Sequence, residues 1–530
     1  MNNIIGIKYT HDSAVARIDG DTLVYSIEME KINGNPRHKE VKDVDKRERK
    51  FISDKFDLYA DTVVDGWHRE IDMLGCKPSS YGESDSESRV WSRKDEFGFV
   101  SYPHVLGHII GAYASWESAE HKIPACVIVW DGCEVPTVYI VNPQHEAEVN
   151  RVRLHSRLLP FSGIIYGMIG VYFGPYKGQR VKGQIYPHLS VAGKLMSYAG
   201  LGNYCEDHIQ KLMSEYRMIE KYILWSNVYM VHGKKGELED FMMQSLAPHL
   251  SDLSDQDAVA TMHEFLERLF IRAAMDNIPA DMPLIFTGGC ALNIKWNTAL
   301  LETNHFSSVW IPPFCNDSGS AIGQACAHNA FVHDIWHMRW SVYSGPEIIE
   351  DYEGEHKYMT PYNFGKWLAM GDIAIVLEGK AEIGPRALGH RSLMADPRDE
   401  HMKEKLNVIK KRESFRPVAP ICLSSDAVKY FELVTKDKYM LFDHKINKLG
   451  WDYLPAIQHE DRTARVQIAS DQFTKDMLEG FKDETGVGIL CNTSANGNGK
   501  GFFSSVSEAV EWAKLNGVHY VYCNTKLYEV

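Results

Sequence analysis

The chain has 530 residues, 44% apolar and 24% charged, with a formal net charge of −14 at pH 7. It is long enough for several domains whose cores need no disulfide staples, and its composition excludes wholesale disorder. The acidic balance weighs against a nucleic-acid polymer as partner, since phosphate repulsion would have to be overcome locally, but it leaves room for a nucleotide in a basic pocket. Ten cysteines with no CxxC spacing read as reduced thiols. The opening MNNIIGIKYTHDSAV lacks the basic-then-apolar order of a secretion signal. No apolar run approaches the roughly 20 residues that span a bilayer. The expected location is cytoplasmic, with no membrane partner.

In chain order, NIIGIKYT predicts a short buried strand, and HDSAVARIDG with TLVYSIEME a hairpin in the same sheet. Residues 37–50 are highly charged and predict a solvated loop or helix. VLGHIIGAYASW carries apolar residues at helical spacing. ACVIVWDG and PTVYIVN predict a second strand pair, and PLIFTGGCALN a buried strand ending in a glycine turn. ALNIKWNTALLE then predicts a helix, and VWIPPFCNDSGSAIGQACAHNA a strand, a polar loop and a helix. This is the rhythm of two related ribonuclease-H-like lobes around a nucleotide cleft. The acidic, aperiodic stretch 344–359 predicts a joint. Beyond it IAIVLEG, VAPICL, YMLFD, RVQIAS, VGILCNTS and HYVYCNT predict short strands of an α/β domain. The expected domains are 1–350 and 355–530.

Three constellations carry chemistry. His104 and His108 sit four apart on a predicted helix and share a face, while Asp131 and Asp317 follow apolar strands whose ends converge in such architectures. Two imidazoles with one or two carboxylates suit iron, manganese or zinc; the alternative is chance spacing with each aspartate a helix cap. Gly288-Gly289 after a buried strand lets backbone approach a nucleotide, or merely makes a tight turn. EGKAEIGPRALGHRSLMADPR supplies Lys380, Arg386, Arg391 and Arg398; KRESFRP adds Lys411, Arg412 and Arg416; TARVQ adds Arg465; CNTSANG adds Asn492, Thr493, Ser494 and Asn496. Placed beside Gly, Pro and Asn turns, these cations predict a pocket for a phosphate-bearing substrate, against the alternative of scattered surface charges. The aromatic segment with Tyr166, Tyr172, Phe173 and Tyr176 is either a stacking platform for a planar acceptor or a core helix.

The C-terminal motifs, with FRPVAP and LPAIQHEDRTARVQ, resemble the O-carbamoyltransferases. This is the family of nodulation protein U and the tobramycin, cephamycin and ansamycin carbamoyltransferases. GIKYTHDSAVARIDG, SIEMEK, HVLGH, AGKLMSYAGLG, FTGGCALN and PPFCNDSGSAIG resemble its first domain in the same order. The resemblance implies a two-lobed, actin-like, threonylcarbamoyl-transferase-type first domain and a YrdC-like second domain. In the second, carbamoyl phosphate and ATP, with Mg, would give carbamoyl-adenylate; the first would pass the carbamoyl group to an acceptor hydroxyl, leaving AMP. Lys380, Arg386, Arg416 and Arg465 would hold phosphates, and Asn492, Ser494 and Asn496 would fix the adenylate or carbamoyl amide. His104, His108, Asp131 and Asp317 would hold an iron-type metal, with Mn or Zn as alternatives. His11 would take the acceptor's proton or bind phosphate. Gly288, Gly289 and Asn293 would contact adenosine, with Lys194 matching an EGK-type motif that here reads AGK.

Two further departures are DGCEVP, which leaves open whether Glu134 fills the usual acidic position, and NGNGKGFF, which lacks the family's acidic residue and proline. The expected acceptor is a small hydroxylated metabolite, with a hydroxymethylpyrimidine nucleotide as the specific guess; a homodimer stays open. A threonylcarbamoyl-type transferase on RNA is disfavoured by the acidic balance. A non-catalytic nucleotide-binding regulator is disfavoured because the expected site residues are all present.

Overall fold

The computed structural model describes residues 2–8, 11–34, 62–66, 93–94, 100–182, 190–226, 236–497 and 499–530. The charged segment 37–50 lies outside them. The described chain forms two compact units of mixed α/β structure. One comprises Met1–Ile123, Pro312–Gln458 and Arg462–Val530, the other Pro124–Ile311 with His459–Asp461.

In the first unit a six-stranded sheet runs in the order Thr22–Glu28, Ala14–Asp19, Asn3–Lys8, Thr62–Gly66, Val100–Tyr102, Arg93–Lys94. The first three strands form an antiparallel meander, and Thr62–Gly66 and Val100–Tyr102 then add in parallel. Ile4, Ile5 and Ile7 of the central strand are all buried, as a strand covered on both faces requires. Two helices, His104–Ala114 and Ser320–His333, pack here at glycines. A Cβ on Gly323 would lie 1.9 Å from the Gly107 carbonyl oxygen, and one on Gly6 would lie 2.0 Å from that of Ala321. Backbone therefore meets backbone at both crossings. This close approach brings the end of Asn3–Lys8, the first turn of His104–Ala114 and the loop before Ser320–His333 together.

The second unit has a five-stranded sheet in the order Val309–Trp310, Leu284–Thr287, Ala125–Val129, Thr137–Val141, Val152–Arg157. Again three strands are antiparallel and two more add in parallel. The two sheets thus repeat one connectivity, which is the physical content of the repeated strand–turn–strand rhythm in the sequence.

The C-terminal part of the first unit holds an eight-stranded mixed sheet. Its centre runs Tyr520–Cys523, Ala374–Leu377, Arg391–Ala395, Ile489–Ser494, Ala419–Cys422. Alternate residues feed two cores: Ile375, Leu377 and Leu393 join one cluster, and Ala374, Val376 and Met394 the other. The predicted strand YMLFD is absent. The buried Asp437 carboxylate accepts the backbone N–H groups of Tyr439, Leu441 and Phe442 at 2.7, 2.5 and 2.9 Å. Those donors are spent on a local turn in which Met440 has φ of 59°. The strand starts only at His444. Among the described residues no helix is long and apolar enough to cross a membrane.

Candidate functional site

Two clusters of chemistry-bearing side chains lie in the first unit. In the first cluster, His104 and His108 occupy adjacent turns of one helix, and Asp317 comes from the polar loop ahead of Ser320–His333. The two Nε2 atoms are 3.1 Å apart, and each lies 3.2 Å from Asp317 Oδ1. Three ligand atoms forming a triangle with such edges fit adjacent positions around one ion, since bonds of ~2.1 Å at right angles give edges of about 3.0 Å. Donor chemistry and spacing therefore fit a transition metal. Lys8, at the end of the central strand and 1% exposed, places Nζ 2.6 Å from Asp317 Oδ2. Burial opposes ionisation of Asp317, but Lys8 and the imidazoles outweigh it and hold the carboxyl well below its ordinary range. Burial drives His104 down to about 4, against the pull of Asp317. Its imidazole is therefore neutral at pH 7, as a ligand must be. His11 extends the cluster: Nδ1 lies 3.1 Å from Asp317 Oδ2 and 3.2 Å from Asp12 Oδ2.

The second cluster is cationic. Lys410 and Arg412 follow the helix Met402–Ile409, Arg416 lies in the next loop, Arg465 follows the short strand Thr463–Ala464, and Arg386 sits in the glycine-proline turn. Lys410 is 6% exposed; its Nζ donates to the carbonyls of Ser494 and Asn496 at 2.6 and 2.5 Å and to Asn496 Oδ1. Arg412 donates to Thr493 Oγ1 at 3.2 Å. Burial, with Arg412 and Arg416 adding repulsion, lowers Lys410 to about 7. Burial and Arg416 likewise lower Arg412 to about 9. Burial followed by Arg386, Arg416 and Arg412 pushes Arg465 well below its ordinary value. Arginines stay charged at neutral pH, so the depression measures how strongly the pocket resists its own charge. Asp437 and Glu413 offset part of it. The Nε of Arg465 and one Nη of Arg412 are buried without a hydrogen-bond partner among the described residues. Buried guanidinium donors left unmatched in this way mark a place for an anion.

The turn carrying Arg386 is held rigidly. Glu382, fully buried, accepts the N–H groups of Leu388, His390 and Arg391 on one carboxylate oxygen. Gly384 has φ of 84°, and a Cβ there would lie 2.2 Å from the Pro313 carbonyl oxygen. Its N–H donates to Glu28 Oε1, and Lys31 Nζ donates to Glu28 Oε1 and to the carbonyls of Glu382 and Gly384, all at 2.7–2.8 Å.

The predicted residues sort as follows. Arg386, Arg416 and Arg465 meet in the pocket. Ser494 and Asn496 meet it too, but hold Lys410. Asn492 is 2% exposed; its Nδ2 donates to the Ala387 carbonyl and to Gln467 Oε1, and its Oδ1 is buried without a partner among the described residues. Lys380 is exposed. Arg391 is structural: 1% exposed, it donates to the carbonyls of Glu378, His390, Gly379 and Pro346. Arg398 pairs with Asp396 at 2.6 Å.

In the second unit, Asp131 Oδ1 accepts the Gly289 N–H at 2.7 Å, ordering the glycine turn. Gly288 has φ of 94°, and a Cβ there would lie 2.4 Å from the Trp130 carbonyl oxygen. Asn293 caps the helix Ile294–Glu302 by accepting from Lys295 and Trp296. Lys194 lies over the Tyr176 ring at 5.4 Å. Tyr166 is a core aromatic, edge-on to Trp296 and hydrogen-bonded to His263 at 2.7 Å. Sequence reasoning missed Lys8, Lys410, Glu28, Lys31 and Glu382. Lys410 has a signal, being the first basic residue of KKRESFRP at a helix end, and Glu382 lies within the same glycine-rich turn as the N–H groups it accepts; Lys8, Glu28 and Lys31 gain meaning only from contacts hundreds of residues away.

Comparison with known proteins places the chain in a family. The carbamoyltransferase N-terminus family model matches residues 3–72 and 87–326, and the carbamoyltransferase C-terminus model matches residues 365–529. The chain belongs to the carbamoyltransferase family and is an enzyme of that class. It is 37% identical to nodulation protein U of Sinorhizobium fredii, over 99% of this chain and 98% of the relative. It is 31% identical to the 3'-hydroxymethylcephem-O-carbamoyltransferase of Amycolatopsis lactamdurans, over 97% of each. Among solved structures, the activator of the 2-hydroxyisocaproyl-CoA dehydratase from Clostridium difficile matches 63% of this chain and 96% of its own, at a TM-score of 0.35 and 13% identity.

Proposed function

We propose that the protein is an ATP-dependent O-carbamoyltransferase working in two half-reactions. The observation that carries the proposal is the cationic pocket, with Arg386, Lys410, Arg412, Arg416 and Arg465 repelling one another and Arg465 Nε buried without a partner. Such a pocket suits a ligand with several phosphates. Carbamoyl phosphate loses phosphate to water, and an oxygen of the resulting carbamate attacks the α-phosphorus of ATP. Carbamoyl-adenylate forms and pyrophosphate leaves. The guanidinium groups stabilise charge that grows on the transferring and leaving oxygens. Lys380, exposed, would supply a further cation to the phosphates. Asn492 Oδ1 accepts an N–H of the carbamoyl group: its amide orientation follows from two acceptors facing Nδ2.

In the second half-reaction an acceptor hydroxyl attacks the carbamoyl carbon and AMP leaves. His11 Nδ1 faces the carboxylates of Asp12 and Asp317, which keeps its proton there and leaves Nε2 as the base. His104, His108 and Asp317 would hold a metal that supplies Lewis acidity to adenylate oxygens. Lys8 fixes the Asp317 carboxylate in its ionised form. The Asp131-ordered turn at Gly288-Gly289, with Asn293 and Lys194, serves the nucleotide. We place the functional boundary between 1–350, actin-like, and 355–530, YrdC-like. The acceptor is a small hydroxylated metabolite; the relative named for a hydroxymethylcephem supports that class.

The test is to supply ATP and carbamoyl phosphate together and singly. Equal release of phosphate and pyrophosphate, only with both present, is expected. Pyrophosphate released from ATP alone at the same rate would contradict the proposed donor.

A further inference from the structure

We propose that Cys205, His208 and Asp252 form a second reactive centre, a thiolate–imidazolium pair that takes covalent modification by small hydroperoxides. The three residues lie in the second unit, and the inference does not depend on the carbamoyl-transfer reading. Cys205 immediately precedes the helix Glu206–Ser226. His208 is three residues on, so the two side chains share the face of the first turn. Cys205 Sγ lies 2.9 Å from His208 Nδ1, and His208 Nε2 lies 3.0 and 3.2 Å from the two oxygens of Asp252. Carboxylate, imidazole and thiol therefore form one relay. Asp252 holds the proton on Nε2, so Nδ1 is the nitrogen that takes the thiol's proton.

The surroundings favour reaction. Cys205 is half-buried, and Asn203, Tyr204, Glu206 and Asp207 around it are exposed. Its N–H is fixed by Thr261 Oγ1 at 3.1 Å. The carboxylates that would oppose a thiolate are Glu206 and Asp207 on its own helix and Asp257 on the helix Asp255–Asn277. Glu206 is held by Arg268 and Gln210, and Asp257 accepts the Asn203 N–H; Lys211 lies on the Asp252 side. The hydrogen bond with His208 holds the Cys205 thiol below its ordinary value. The same bond, with Asp252, raises His208 despite its burial. Buried cysteines elsewhere go the other way: burial pushes Cys126 up to about 11, and Cys326 and Cys523 up to about 12.

The step balances within this centre. The thiolate attacks the terminal oxygen of the hydroperoxide; the S–O bond forms as the O–O bond breaks. Sulfur loses two electrons and becomes a sulfenic acid. The alkoxide or hydroxide that leaves takes the proton from His208 Nδ1.

The test uses the full-length protein with substoichiometric hydrogen peroxide near pH 6, dimedone trapping and peptide-resolved mass spectrometry. Exposed Cys133 is the internal reference. Cys205 should be trapped at least about tenfold faster than Cys133. The excess should disappear in His208→Gln and shrink in Asp252→Asn. Equal trapping of the two cysteines, or an excess that survives in His208→Gln, overturns the proposal. If His208→Gln does not fold, the wild-type alkylation rate against pH decides. Cys205 should stay reactive where a free small thiol such as N-acetylcysteine loses about tenfold per pH unit, and a Cys205 profile that tracks that free thiol overturns it.

Discussion

Arg465→Met separates function from stability in one substitution. In the wild type, Arg465 Nε is buried without a partner among the described residues, and Arg386, Arg412 and Arg416 repel its charge. Methionine keeps much of the apolar stem and removes the charge. Replacing a poorly paired buried charge by an apolar group of similar size gains about 1–3 kcal/mol. In a 530-residue chain each kcal/mol moves Tm by only about 1 °C, because the unfolding entropy grows with length. The same change removes a donor aimed at developing phosphate charge, which costs about 3–4 kcal/mol of transition-state stabilisation, or a factor of roughly 100–1,000 in rate. The paired assays are thermal unfolding and pyrophosphate release. Pyrophosphate itself should stabilise the wild type, by about 2.7 kcal/mol at a hundred times its Kd, and raise its Tm accordingly, and should do so far less in the variant. A variant that melts lower while releasing pyrophosphate at the wild-type rate would refute the reasoning, because Arg465 would then be a structural residue.

Other perturbations give equally definite outcomes. Lys31→Met strands the buried Glu28 carboxylate and should cost about 3–5 kcal/mol in urea unfolding; adding Glu28→Gln should recover part of it. Asn492→Ala should raise KM for carbamoyl phosphate about tenfold with little change for ATP, the loss of one hydrogen bond to the carbamoyl amide. Lys410 is held at about 7, below its ordinary 10.5. The unfolded chain therefore binds more protons between those values, and stability should rise with pH from about 7 upward. Lys410→Met should flatten that rise in urea titrations at several pH values. Prolonged chelation, confirmed by metal analysis, should abolish carbamoyl transfer to an acceptor yet leave pyrophosphate release intact, because the proposed mechanism uses His104, His108 and Asp317 only in the second half-reaction.

The legible parts of the chain are those with local causes. The meander strands show as apolar runs broken by turn residues, and the HxxxH pair shows because four residues bring a helix back to one face. Arg386 and Arg416 stand out beside Pro385 and Pro417, whereas Arg465, in TARVQ, has no such neighbour. Elsewhere the same residue types have plain structural duties. Arg391 ties four backbone carbonyls, and Tyr166 packs in an aromatic core. Sequence alone cannot separate these from ligand contacts, because both uses need the same side chain. Lys8, Glu28 and Lys31 were illegible for a different reason. Lys8 meets Asp317, and Glu28 and Lys31 meet Gly384, only through folding that closes loops of more than 300 residues. The lost strand at YMLFD has a local cause instead: a single buried carboxylate at Asp437 takes the donors that β-propensity assumes are available.

The most direct test of the two-step reading is mass spectrometry of the nucleotide bound to the enzyme after mixing with ATP and carbamoyl phosphate and no acceptor. Carbamoyl-adenylate, released as AMP once a hydroxylated acceptor is added, is the expected result. Unchanged ATP, or ADP formed at the expense of ATP, would contradict it, since ADP would mean phosphoryl transfer rather than adenylate formation.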